Sequence, residues 1–131
     1  MDPDFLEPLT TILRATGRFG HRGHLTLAWT YLEDHTVDVS QGLMASAVHH
    51  VSELHGAPER YHETLTRAWV VVGASHHRAD AGSTFDDVVA RHPALLDPHL
   101  LHRHYSPALL GRHEARNHWV LPDLRPLPTV V

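Results

Sequence analysis

Three histidines in this sequence have the type and spacing of a metal centre. His21 and His24 are three residues apart, which places both imidazoles on one face of a helix and suits a transition metal. His62 lies early in a second apolar segment and shares a helical face with Trp69, so we expect it to point toward the core. Three neutral imidazoles would bind zinc, copper, iron or nickel and leave one coordination position open.

Polar residues with acid–base or anion-binding chemistry accompany these histidines. Glu63 points about 100° away from His62 around a helix, so we expect it to transfer protons rather than to share a metal with His62. An i,i+4 ion pair with Arg67 is the simpler alternative for Glu63. Tyr105 is a further acid–base candidate, and Arg116 could hold a substrate carboxylate through two hydrogen bonds.

The remaining histidines have simpler interpretations. His50 interrupts an apolar stripe and could add a ligand, although a half-buried imidazole with its tip in water is favoured. His76 and His77 end a predicted helix, where a cation complements the helix dipole. The histidines nearer the C-terminus are expected to be mostly solvated, and they are His92, His99, His102, His104, His113 and His118.

Composition excludes several classes of protein. The absence of Cys excludes disulfides, thiolate metal sites and cysteine nucleophiles. The net charge of −4 argues against nucleic-acid binding, which normally requires a basic surface. The longest apolar run, residues 68–74, is far shorter than the roughly 20 residues of a membrane helix. With an acidic start that lacks the basic region of a signal peptide, the sequence predicts a cytoplasmic protein with no membrane partner.

Apolar residues recur at helical spacing through most of the chain. They predict helices over about 22–34 and about 60–76. Between them they predict a helix that opens near Asp38, at capping-box spacing from Gln41, with Ser40 as the alternative cap, and that stops at Gly56. The run 70–72 is β-prone, so a strand is the competing prediction there. Thr84 opens a short helix that ends before Pro93, and Ser106 opens one that reaches about Asn117.

These elements predict an all-α fold. The chain, 1–131, is expected to form a single domain, a bundle of four to six helices with its core over about 8–121. Residues 122–131 are rich in Pro and are expected to form an extended tail, because Pro fixes φ and lacks a donor. Trp29 and Trp119 are expected in the core, and a homodimer formed through either is the alternative.

Three blocks of the sequence form a specific combination. The first, 19–32, contains Phe-x-His-x-x-His; the second, 61–69, contains Tyr-His-Glu-Thr; the third, 101–126, contains Tyr-Ser, Ala-Arg and Pro-Asp-Leu. Together they resemble an uncharacterised family of short bacterial proteins, and the resemblance implies no activity. Gly23 stands where that family has an acidic residue. The resemblance singles out His21, His24, His62 and Glu63, with Tyr105, Ser106, Arg116 and Asp123 as polar companions.

Three functions fit these observations. The favoured one is a small metal-dependent enzyme acting on a small molecule, with a transition metal held between helices by His21, His24 and His62. The second is a metal-free lyase, dehydratase or isomerase that uses His62, Glu63 and Tyr105 as acid and base. The third is a non-enzymatic accessory protein that binds a metal or a small molecule.

Overall fold

Helices make up the regular structure of the described residues, 5–129, of this computed structural model, and no strand occurs among them. The all-α prediction is therefore confirmed. The acidic start, 1–4, and the last two residues of the predicted tail lie outside the described range. The α-helices are α1 (Leu6–Thr16), α2 (His21–Asp34), α3 (Val37–Leu54), α4 (Glu63–Ala79), α5 (Phe85–Arg91), α6 (Pro107–Leu110) and α7 (His113–Asn117). Single 3-10 turns are formed by Pro58–Arg60, Pro93–Leu96 and Leu100–Arg103.

Side-chain caps fix where several helices begin. Thr84 accepts a hydrogen bond from the Asp87 N–H at the start of α5, as its spacing predicts. Helix α3 begins earlier than predicted, because Thr36 rather than Asp38 caps it by accepting from the Val39 N–H. The end of α3 is as predicted, since Gly56 adopts a positive φ of 66° in the turn that follows.

Helix α4 lies at the centre of the fold and contacts α2, α3 and α7. One core cluster joins α1, α2 and α3 through residues such as Leu27 and Met44, and a second joins α2 and α4 to the C-terminal elements around Trp29 and Trp69. Val70 lies within α4 and is completely buried, so its β propensity is outweighed by tertiary packing. The competing strand prediction for 70–72 is wrong.

The predicted C-terminal helix from Ser106 to Asn117 is two short helices. Ser106 caps α6 by accepting from the Leu109 N–H. Helix α6 ends at Gly111, and Arg112 is extended, with φ −74° and ψ 144°, before α7 begins. The break leaves seven α-helices in the described range, two of them no longer than five residues.

The segment after α7 is extended, and it folds back over the helices. The Leu124 N–H donates to the His104 carbonyl (2.9 Å), and Asp123 accepts hydrogen bonds from both the backbone N–H and the hydroxyl of Ser106 (2.8 and 2.6 Å). These hydrogen bonds lower the pKa of Asp123. Leu127 packs against the second core cluster. The tail is therefore held by specific contacts, which assign Ser106 and Asp123 a structural role.

None of the helices within residues 5–129 combines the length and apolar character required to cross a bilayer. Trp29 is buried, as expected, whereas Trp119 is 38% exposed, so the expectation that Trp119 lies in the core is wrong.

Candidate metal centre

The first predicted ligand, His21, connects α2 to the 3-10 turn Pro93–Leu96. Its Nε2 lies 2.9 Å from the carbonyl oxygen of Leu95, a hydrogen bond in which Nε2–H donates. The imidazole also meets the indole of Trp69 edge-on, with 4.4 Å between ring centroids. These contacts occupy one ring nitrogen of His21, and they give the side chain a packing role between helices.

The second predicted ligand, His24, lies one turn further along α2. Its ring stacks on Phe19 with 4.3 Å between centroids, and it borders a small cavity beside His55 and Arg60. Burial, and to a smaller extent the electrostatic effect of the nearby His21, together lower the pKa of His24 from 6.5 to about 4. His24 is therefore neutral at neutral pH.

This lowered pKa predicts a loss of stability in mild acid. A histidine whose pKa is lower in the folded state than in the unfolded state stabilises the fold above the unfolded pKa. That contribution is lost as the pH falls from 6.5 toward 4. For His24 we expect the loss to reach at most about 3 kcal/mol. His24→Gln should flatten the dependence of unfolding free energy on pH in chemical denaturation, with His113→Gln as the surface control. If the unfolding free energy depends equally on pH in both variants, His24 is not the source of the pH dependence.

The third predicted ligand, His62, caps α4. Its Nδ1 accepts from the Leu65 N–H (3.2 Å), and its Nε2 donates to the Leu110 carbonyl oxygen (2.8 Å). Burial lowers the pKa of His62, although the bond to Leu110 opposes that shift. The neutral tautomer with the proton on Nε2 satisfies both bonds. Neither ring nitrogen is open to a metal in this conformation.

Glu63 forms the ion pair that was its simpler alternative. Arg67 Nε donates to Glu63 Oε2 (3.0 Å), and the Tyr61 hydroxyl donates to Oε1. Burial, and then the hydrogen bond to the Glu63 carboxylate, raise the pKa of Tyr61, while the charge of Arg67 opposes that shift. Glu63 also borders an open cavity that Gln41 and Trp119 line. Its carboxylate is therefore held by Arg67 and Tyr61 but is still accessible from the cavity.

Tyr105 and Arg116 make contacts that connect parts of the backbone. Tyr105 is completely buried, and its hydroxyl donates to the Val120 carbonyl oxygen (2.9 Å). Burial raises the pKa of Tyr105 to about 12, which keeps the hydroxyl protonated. Arg116 donates to the Glu59 carbonyl oxygen, so it ties α7 to the turn before α4. Each of these contacts stabilises the fold without a ligand.

A different set of side chains forms a potential metal site. Within residues 5–129, the group of three whose ligand atoms all lie within 4.8 Å of one another consists of His76, Asp80 and His92. His21, His24 and His62 do not form such a group. The metal site assigned to these three has no geometric support in this conformation, and it stays a prediction.

The ends of two helices bring these three ligands together. His76 lies in the last turn of α4, and Asp80 follows four residues later as its C-cap. The chain then turns through Ser83, whose N–H donates to the Asp80 carbonyl oxygen (3.0 Å), and enters α5, whose C-cap is His92. The rings of His76 and His92 lie 4.7 Å apart between centroids, and His92 Nε2 lies 3.7 Å from Asp80 Oδ2.

The electrostatics of this site favour a cation. Burial lowers the pKa of His76 and the adjacent His92 lowers it further, while Asp80 opposes the shift. The His76 imidazole is therefore neutral at neutral pH, the form that binds a metal. The C-terminal ends of α4 and α5 both lie at the site, and their carbonyl groups carry partial negative charge. The positive charge of Arg91 opposes cation binding, because its Nη2 lies 3.5 Å from Asp80 Oδ1.

Two imidazoles and one carboxylate are ligands for zinc and for non-haem iron. His76 and Asp80 are partly buried, whereas the His92 side chain is 46% exposed. One side of the site therefore faces solvent. The residues present can hold a divalent transition metal with coordination positions left open.

Sequence reasoning missed this site for an identifiable reason. His76 was interpreted as a dipole-complementing residue and His92 as solvated, and each interpretation considered one helix alone. The four-residue spacing of His76 and Asp80 is a signal that the sequence does contain. His92 joins them only because the turn at 80–84 folds α5 back toward the end of α4, and no local pattern specifies that contact.

Comparison with known proteins does not assign the site. No protein-family model, no curated protein and no solved structure matches this chain.

Proposed function

We propose that this protein is a small metal-dependent enzyme that acts on a small molecule, with a divalent transition metal held by His76, Asp80 and His92. The observation that carries the proposal is the convergence of these three ligand atoms within 4.8 Å at the solvent-facing ends of two helices. Three protein ligands with open positions are typical of catalytic sites, whereas structural sites are closed by four.

Each residue has a role that its position supports. His76 is a neutral ligand held by the rigid end of α4, and Asp80 supplies the negative charge that offsets part of the charge on the metal. His92 is the exposed ligand, next to the side from which a substrate would enter. Such a metal, when bound, acts as a Lewis acid and lowers the pKa of coordinated water.

The metal-free alternative receives less support from the geometry. It requires His62 to exchange protons with a substrate, yet both of its ring nitrogens are hydrogen-bonded within the protein. Tyr105, its proposed partner, is completely buried. Glu63 does border an open cavity, but its carboxylate is paired with Arg67.

Metal content distinguishes the proposed site from the other histidines. Tag-free protein dialysed against Zn²⁺ is expected to retain one equivalent, and His76→Ala is expected to retain none. His77→Ala is a matched control, because His77 is the next residue in α4 but contacts Glu33 (3.5 Å) and Trp29 instead. Retention of one equivalent by His76→Ala would contradict the proposal.

The open coordination position is tested separately. In the Co²⁺-loaded protein, titration with imidazole, a neutral ligand, should shift the visible absorption bands as it enters the coordination sphere. Bands that do not respond at any imidazole concentration would indicate a closed, structural site and would contradict the enzymatic part of the proposal.

A further inference from the structure

We infer that the substrate of this site carries a carboxylate, and that Arg91 binds it while one of its oxygens occupies the metal's open position. The inference rests on the proposed function. It comes from the placement of a guanidinium beside the three candidate ligands, a feature that metal binding itself does not require.

Arg91 is held at the rim of the site by its surroundings. It is the last residue of α5, directly before the ligand His92. Its Nη2 donates to the Ser83 hydroxyl (3.0 Å), and the same atom lies 3.5 Å from Asp80 Oδ1. Ser83 belongs to the turn that connects Asp80 to α5, so the segment that assembles the ligands also orients the guanidinium.

The guanidinium keeps donors for a ligand. Its approach to Asp80 is an ion pair at 3.5 Å, longer than the 2.7–2.9 Å of a strong charge-assisted hydrogen bond. The side chain is 49% exposed. Arg carries five N–H donors, and the contacts to Ser83 and Asp80 both use Nη2. The remaining donors can form the paired hydrogen bonds that a guanidinium makes to a carboxylate.

The spacing between the ligand set and Arg91 is that of a carboxylate. Asp80 itself spans it: Oδ2 faces His92 Nε2 at 3.7 Å, and Oδ1 faces Arg91 Nη2 at 3.5 Å. Because the two oxygens of Asp80 reach both His92 and Arg91, a substrate carboxylate lying beside Asp80 would place one oxygen near the metal ligands and the other near the guanidinium. The charges at the site also favour an anionic substrate, because the metal and Arg91 are both cationic whereas Asp80 supplies a single negative charge.

The experiment compares an anionic and a neutral ligand in Co²⁺-loaded protein. Visible absorption follows titration with acetate and, in parallel, with imidazole. Arg91→Ala is expected to weaken acetate binding roughly 10-fold or more, because a hydrogen-bonded charge pair is lost, and to leave imidazole binding unchanged. The acetate affinity of Arg91→Lys should lie between those of the wild type and Arg91→Ala, because lysine keeps the charge but lacks the planar guanidinium that forms two hydrogen bonds to a carboxylate. Arg78→Ala is the matched control, because Arg78 is an exposed residue near the end of α4 with no ion pair in the described part of the chain.

The outcomes separate this inference from the proposed function. Equal acetate affinity in the wild type and Arg91→Ala, with imidazole binding intact, would overturn the role of Arg91 and leave the metal site standing. Equal weakening of acetate binding in Arg78→Ala would also overturn it, because the effect would then be general charge. Failure of Co²⁺ to bind the wild type would refute the proposed function and this inference with it.

Discussion

Replacing His92 by alanine is expected to reduce the affinity for Zn²⁺ by more than roughly 10–100-fold. A loss of that size follows when a residue that only hydrogen-bonds to a metal ligand is removed, and a ligand itself should cost more. His92 is one of three converging ligand atoms, so the variant keeps only two protein ligands. Competition with a chromophoric chelator measures the affinity. His99→Ala is a suitable control, because His99 is also exposed and lies against another histidine, His102, at 5.0 Å between ring centroids.

The same variant should lose stabilisation by the metal. A ligand that binds only the folded state stabilises it by about 2.7 kcal/mol when present at 100 times its dissociation constant. Zn²⁺ should therefore raise the thermal midpoint of the wild type and of His99→Ala, but not that of His92→Ala. If His92→Ala binds Zn²⁺ as tightly as the wild type, and if Zn²⁺ raises its thermal midpoint by the same amount, His92 is not a ligand.

Replacing His62 by alanine is expected to destabilise the fold by about 2–4 kcal/mol and to leave metal binding intact. The N-cap of α4 contributes about 1 kcal/mol, and an unpaired buried carbonyl at Leu110 costs about 1–3 kcal/mol. Urea unfolding measures the stability, and metal content is measured on the same preparation.

A second substitution separates these two contributions. His62→Asn keeps a side-chain oxygen for the N-cap, so it should recover about 1 kcal/mol relative to His62→Ala. The competing result is specific: a folded His62→Ala protein that has lost its metal would restore His62 as a ligand, as the sequence predicts, and would contradict the capping role.

Helices α2 to α5 were predictable because their signals are local, whereas α1 (Leu6–Thr16) was not predicted. Apolar spacing predicts a helix over 22–34, and α2 occupies His21–Asp34. The cap at Thr84 is also local, since a side chain accepts from an N–H three residues ahead. The break at Gly111 was missed because the apolar spacing of Leu109, Leu110 and Ala115 is compatible with one continuous helix. The sequence pattern also contains no signal for the tertiary contact of Arg116 with Glu59.

The predicted site residues illustrate why function is harder to predict than fold. His62 was correctly expected to point into the core, where the structure gives it a cap and a carbonyl partner. The ion pair of Glu63 with Arg67 was foreseen from i,i+4 spacing. Hydrogen bonds from His21 to Leu95 and from His62 to Leu110 join residues distant in sequence, so spacing alone could not distinguish packing from ligation.

Anomalous X-ray diffraction from Zn²⁺-soaked crystals tests the metal site most directly, with data collected on both sides of the zinc absorption edge. We predict an anomalous peak bounded by His76, Asp80 and His92, at about 2.0–2.2 Å from their ligand atoms. A strong peak beside His21 and His24, with none between the ends of α4 and α5, would contradict it.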